Sequence, residues 1–177
     1  MTDTPTPTPS PELLDRALAE EATRKSGLIW VRGSGPARAL WHVWHEGAAY
    51  VVGDGPGEQP LPGLADGSTA EVTVRSKDTG GRIVGWTAEV SEQPPGSEGW
   101  QAAVGELKGK RLNAPDAETM TERWARECRV LRLAPRAVSA APPDGSRAAV
   151  PLPSPATTRR PVPPALPRLL FRKRRRP

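Results

Sequence analysis

The chain contains two histidines, His42 and His45, and both stand among tryptophans in the run Leu40-Trp41-His42-Val43-Trp44-His45. Such residues can ligate a metal, act as acid and base, or form a wall on which a flat ligand stacks. One metal held from this segment needs both imidazoles on one face. At a spacing of three, a helix meets that condition and a strand does not. The run leads into Glu46-Gly47 and a second β-rich run, Ala48–Val52, so it reads as one arm of a β-hairpin with glycine where positive φ is needed. His42 then shares a face with Leu40 and Trp44, and His45 with Trp41 and Val43. HExxH, CxxC and any third-ligand cluster are missing, so no metal site is expected. Two readings remain. Either the histidines pack in the barrel and end the strand, or His42 with Trp44 (or Trp41 with His45) lines a slot for an aromatic ligand. Indole stacks on π-systems, and imidazole hydrogen-bonds ring heteroatoms.

The rest of the chain offers little nucleophilic chemistry. No Ser-His-Asp or Cys-His pair and no spaced carboxylates stand out, so a hydrolase is not expected. Cys128 is the single cysteine, which rules out an intrachain disulfide and reads as an inert buried thiol. Arg75 and Lys77 lie two apart in an extended run, share a face, and could clamp an anion. Lys108, Lys110 and Arg111 end a helical pattern, where the dipole favours cations for structural reasons. Gly53-Asp54-Gly55-Pro56-Gly57 lacks the Lys-Ser/Thr of a P-loop and reads as a turn.

The elements that would position these residues follow from periodicity. Ser10-Pro11-Glu12 reads as a helix start, followed by the stripe Leu13, Leu14, Ala17, Leu18 and Ala22 up to Gly27. Extended runs are expected at Leu28–Arg32, Leu40–His45, Ala48–Val52, Thr69–Lys77 and Arg82–Ser91, separated by Gly-rich turns. Ser97 caps a helix carrying Trp100, Ala103, Val104 and Leu107. Asp116 caps a shorter one carrying Ala117, Met120 and Trp124, and Cys128–Leu133 closes the fold as a strand. Short connections between strands imply antiparallel pairing, hence a mainly β protein of about six strands in a small barrel with flanking helices.

Composition sets the boundaries. Four of 22 prolines lie in Met1–Pro11 and ten in Arg136–Pro177, so both ends are expected to be disordered, with one domain over 12–135. The tail from Arg136 holds ten Lys/Arg and one Asp. Against chain totals of 25 and 20, that leaves 15 basic and 19 acidic residues in the remainder, a net of −4. The body is therefore acidic and not a conventional nucleic-acid-binding domain. The tail's Arg172-Lys173-Arg174-Arg175-Arg176 beside Leu169-Leu170-Phe171 could meet an anionic membrane or nucleic acid; the favoured reading is a solvated extension with no specific partner. With no membrane-length apolar run and no signal-peptide core, the chain is expected to be cytoplasmic.

Over Glu12–Pro135, the order of elements and the stretches His42–Gly47 (HVWHEG), Gly57–Leu64 (GEQPLPGL), Val74–Arg82 (VRSKDTGGR) and Lys110–Pro115 (KRLNAP) resemble the pyridoxamine 5′-phosphate oxidase-like flavoproteins, particularly small actinobacterial members. The resemblance implies a split β-barrel and a homodimer with two flavin or deazaflavin sites at the subunit interface. It also implies hydride transfer by the cofactor itself on a small unsaturated or aromatic substrate whose identity is left open. FMN is the cofactor expected. Arg38 matches the arginine that grips the cofactor phosphate. The family's second grip, Ser-Arg-Lys, is replaced here by Gly57-Glu58-Gln59. On this reading Arg38, Arg75 and Lys77 bind the phosphate, His42 and Trp44 lie beside the ring, and Gln59 is a further cofactor contact. Two alternatives accompany it: a non-catalytic scaffold with a degenerate cofactor site, and a haem-binding barrel with His42 or His45 as axial ligand.

Overall fold

The computed structural model describes residues 10–111, 114 and 116–139. They belong to the first of two units, Met1–Asp144. The second, Gly145–Pro177, lies outside the described residues, as do the Thr/Pro-rich start and almost all of the expected tail.

Helix α1 (Pro11–Lys25) begins where the sequence places it, with the Ser10 hydroxyl accepting from the Leu13 N–H at 3.4 Å. Its buried residues are Ala19 and Thr23, not the expected stripe. Leu13, Leu14 and Leu18 stay 60, 54 and 42 % exposed. The helix packs on β3, β6 and β7 through its small residues, which allow close approach, and it turns its leucines outward.

Seven strands follow: β1 (Leu28–Arg32), β2 (Arg38–Trp41), β3 (Val43–His45), β4 (Ala48–Gly53), β5 (Thr69–Arg75), β6 (Arg82–Glu92) and β7 (Arg129–Ser139). Helices α2 (Glu98–Lys110) and α3 (Met120–Glu127) lie between β6 and β7. All neighbours in the order β2-β1-β5-β6-β7-β4-β3 are antiparallel. The expected hairpin arm Leu40–His45 is divided at His42. Its first half pairs with β1 (Leu40 opposite Ile29) and its second with β4 (Trp44 opposite Ala49). One continuous stretch thus bridges both edges of the sheet and curls it into a split barrel. The β3–β4 turn has Glu46 at φ 44 and Gly47 at φ 74, the pair of left-handed residues that a two-residue hairpin needs.

Strand β7 runs to Ser139, four residues past the boundary expected at Pro135. Proline is tolerated there because the ladder to β4 reaches only Leu133, so the strand beyond has one neighbour. A bulge absorbs Arg136: Ala88 faces Pro135 and Thr87 faces Ala137.

Two apolar cores result. Ile29, Val31, Leu40, Val51, Val72, Val84, Trp86 and Leu131 fill the barrel. Val43, Tyr50, Val52 and Val130 lie on its outer face beneath Trp100, Val104, Leu107, Met120 and Trp124 of α2 and α3. Strand β4 is buried along its whole length because it serves both. Strands β1 and β5 instead alternate buried and exposed residues, leaving their outer face open. No helix among the described residues is long and apolar enough to cross a membrane.

Candidate functional site

The division at His42 decides what the histidines do. His42 is 1 % exposed, and its Nε2 lies 2.9 Å from the Thr23 carbonyl of α1, so Nε2–H is the donor. The Thr23 hydroxyl in turn accepts from Trp86 Nε1 at 3.2 Å. Burial pushes the His42 pKa down to about 4, against the Thr23 bond and aided by the positive Lys110. Its Nδ1 is buried without a partner, which suits a neutral ring. Trp44 meets Trp86 edge-on at 6.2 Å in the barrel core. The pair expected beside a ligand ring therefore packs within the chain: His42 pins α1 to the barrel, and Trp44 fills it. On the opposite face, as strand alternation requires, Trp41 packs against Trp124 and half-buried His45 lies 6.3 Å from the Tyr50 ring.

The loop from Asp54 to Leu61 is committed residue by residue. Arg111 donates to the Gly57 carbonyl at 2.9 Å. The Glu58 carboxylate, fully buried, accepts from Arg123 Nη2 and Trp124 Nε1 at 3.0 Å each, with Arg111 Nε 3.5 Å from its other oxygen. The Gln59 amide copies a strand partner: it accepts from the Trp41 N–H at 2.8 Å and donates to the carbonyls of Trp41 at 2.9 Å and Val52 at 3.2 Å. Arg123 is the hub, reaching also Asp116 at 2.6 Å and the Pro56 carbonyl. That contact occupies the carboxylate expected to cap α3 and holds its pKa below the usual range. Thr119 stands at the cap instead. Cys128 is half-buried rather than buried, with Arg123 Nη1 3.9 Å from its sulfur, yet desolvation outweighs that cation and raises the thiol pKa.

The remaining cations fall in two places, with Arg38 apart from Arg75 and Lys77. Arg38 faces Val31 in the β1–β2 ladder, so it points to the barrel side of the sheet, at its mouth. Arg75 ends β5 on the outer face, with its guanidinium 4.9 Å from the ring centre of Trp30. Lys77 follows in the β5–β6 turn. Arg75 and Lys77, with Lys25 of α1, line a groove of about 380 Å³ floored by Val74 and Ala22. Trp30 and Lys25 had no local signal in the sequence; the strand register and the helix packing bring them here. Among the described residues, no three His, Cys, Asp or Glu side chains form a cluster that could hold a metal.

In fold, the chain resembles a haem storage protein. That structure, HutZ from Vibrio cholerae, aligns with TM-score 0.51 at 11 % identity over 69 % of this chain and 91 % of its own. Other solved structures found are a protein from Mycobacterium smegmatis described as binding FAD and haem (TM-score 0.45, 18 % identity, 89 and 94 % covered) and an F420 reductase (0.42, 13 %, 69 and 96 %). No family model and no curated protein matches the sequence.

Proposed function

We propose that the chain is a cofactor-binding split barrel of the flavin or deazaflavin type, working as a homodimer across the open face of β1 and β5. The observation that carries this reading is Trp30. It is an indole 36 % exposed on a strand face, next to Leu28 at 52 %, with a guanidinium at stacking distance. A planar ring buried between that indole and a second copy would cover apolar area that one chain leaves in water. Bound there, a flavin or deazaflavin would supply hydride transfer, and the chain's part would be binding, orientation and exclusion of water. The described residues fit the ring and not the family's phosphate grip: Gly57-Glu58-Gln59 offers no free cation, and Glu58 is an anion already paired. FMN and a catalytic role belong to this proposal, and so do Arg38, Arg75 and Lys77 as anion contacts.

The test is an absorbance spectrum of the purified full-length protein, before and after loading with FMN, a deazaflavin or haem and desalting, with light scattering for mass. Retained flavin-type absorbance in a dimer, lost in Trp30→Ala, is expected. A colourless monomer that retains none of them would instead indicate the scaffold reading. Haem is the second reading, favoured by the shared fold with a haem storage protein and by His45, whose side chain is 27 % exposed while His42 is sealed. It requires a Soret band that His45→Ala removes.

A further inference from the structure

With Gly57–Gln59 committed, an anionic ligand group needs other cations, and the groove between α1 and the β5–β6 end supplies them. Arg75 and Lys77 have no carboxylate partner among the described residues; Arg75 has only the Trp30 ring. Lys77 sits on a turn fixed by hydrogen bonds. The Ser76 N–H donates to the Gly81 carbonyl at 2.8 Å, Gly80 N–H to Ser76 O at 3.0 Å, and the N–H groups of Asp78 and Thr79 to the Ser76 hydroxyl. Of the two acids in the groove, Glu21 is bound by Lys25 at 2.7 Å and Arg24 at 2.6 Å, which hold its pKa down to about 2. Asp78 is the only acid of the lining without such a pair. The apolar side of the same groove includes Leu18 and Ile83, which stay 42 and 40 % exposed. Its volume lies in the lower part of the range for small-ligand sites.

We infer that this groove is an anion subsite for an amphiphilic ligand. A phosphate monoester or carboxylate is held by Arg75 and Lys77 at one end, with its apolar part against Leu18, Ala22 and Ile83. Two cations with fixed backbones give charge-assisted contacts, and the exposed leucine and isoleucine gain from being covered. The inference rests on the cofactor reading for the identity of the natural ligand, whose anionic tail it places here, but the groove can be probed without any ring.

The probe is octyl phosphate, with octanoate and octyl glucoside as comparisons, titrated into the full-length protein below micelle formation and followed by tryptophan fluorescence and calorimetry. Octyl phosphate is expected to bind at least tenfold more tightly than octyl glucoside. Lys77→Ala and Arg75→Ala should each weaken it about tenfold. Lys77→Ala should leave thermal melting unchanged because its side chain is exposed, and Arg75→Ala should lower it slightly through loss of the Trp30 contact. Octanoate measures whether the head must be a dianion. Equal binding of octyl phosphate and octyl glucoside, or binding indifferent to both substitutions, overturns the inference even if the protein retains a flavin. Loss of flavin binding with octyl phosphate binding intact would leave the groove standing and remove the cofactor reading.

Discussion

The buried imidazole of His42 gives the fold a pH dependence that can be worked out from its surroundings. In the unfolded chain a histidine titrates near 6.5. In the barrel, burial holds His42 down at about 4. The unfolded state therefore binds the proton first, so the neutral ring's contribution is complete above pH 6.5 and is lost as pH falls towards 4. Each pKa unit corresponds to about 1.4 kcal/mol, so about 3–4 kcal/mol is at stake, of which about 2 is lost between pH 7.5 and 5.0. Carboxylates held low, such as Asp116, exert their effect below that window. The assay is urea denaturation followed by tryptophan fluorescence at pH 7.5, 6.0 and 5.0, for the wild type and His42→Gln. Glutamine keeps an N–H for the Thr23 carbonyl and does not titrate. It should cost about 1–2 kcal/mol at pH 7.5 and remove most of the wild type's slope. Parallel pH profiles for the two proteins would refute the reasoning, because the proton would then be taken up elsewhere.

Other perturbations have equally definite outcomes. Glu58→Ala leaves Arg111 and Arg123 facing each other without their carboxylate, and the denaturation midpoint should fall by an amount equivalent to about 3–5 kcal/mol. Gln59→Ala strands the backbone groups of Trp41, at a cost of about 1–3 kcal/mol measured the same way. Gly33→Ala would put a Cβ 2.1 Å from the Gly63 carbonyl oxygen, a backbone atom, so thermal melting should drop by the equivalent of at least about 1–3 kcal/mol. Cys128, its thiol pKa raised, should react with iodoacetamide at pH 7.5 much more slowly in the folded protein than in urea.

Much of this fold could be read from local pattern. Glu46-Gly47 sits between alternating runs, and both residues adopt the left-handed turn; Ser10 and Ser97 accept the hydrogen bonds their positions announce. The misreadings share one cause, which is that local pattern does not say what covers a surface. Leu13, Leu14 and Leu18 mark an apolar stripe, yet α1 lies on Ala19 and Thr23 because the barrel presents His42 and Trp86 to it. Glu58 looks like a charge in a Gly/Pro-rich loop, and only the return of α2 and α3 over β4 supplies the two arginines and the indole that bury it. The candidate ring face was equally hidden. Trp30 reads as one more strand tryptophan until the register sets it beside Thr73, with Arg75 above.

The stretch Arg38–His45 belongs to two ladders at once, and that makes its length inviolable. Adding or removing one residue near His42 would keep the β2 register and reverse every side chain of β3: Trp44 would leave the barrel and Val43 would enter it. Neither half could compensate, since each is anchored to a different neighbour. Variation in chain length should therefore be confined to the bends on either side, around Gly33–Ala37 and after Gly53. A library of single-residue insertions scored for soluble expression would show the sixteen positions between, Arg38 to Gly53, as a gap.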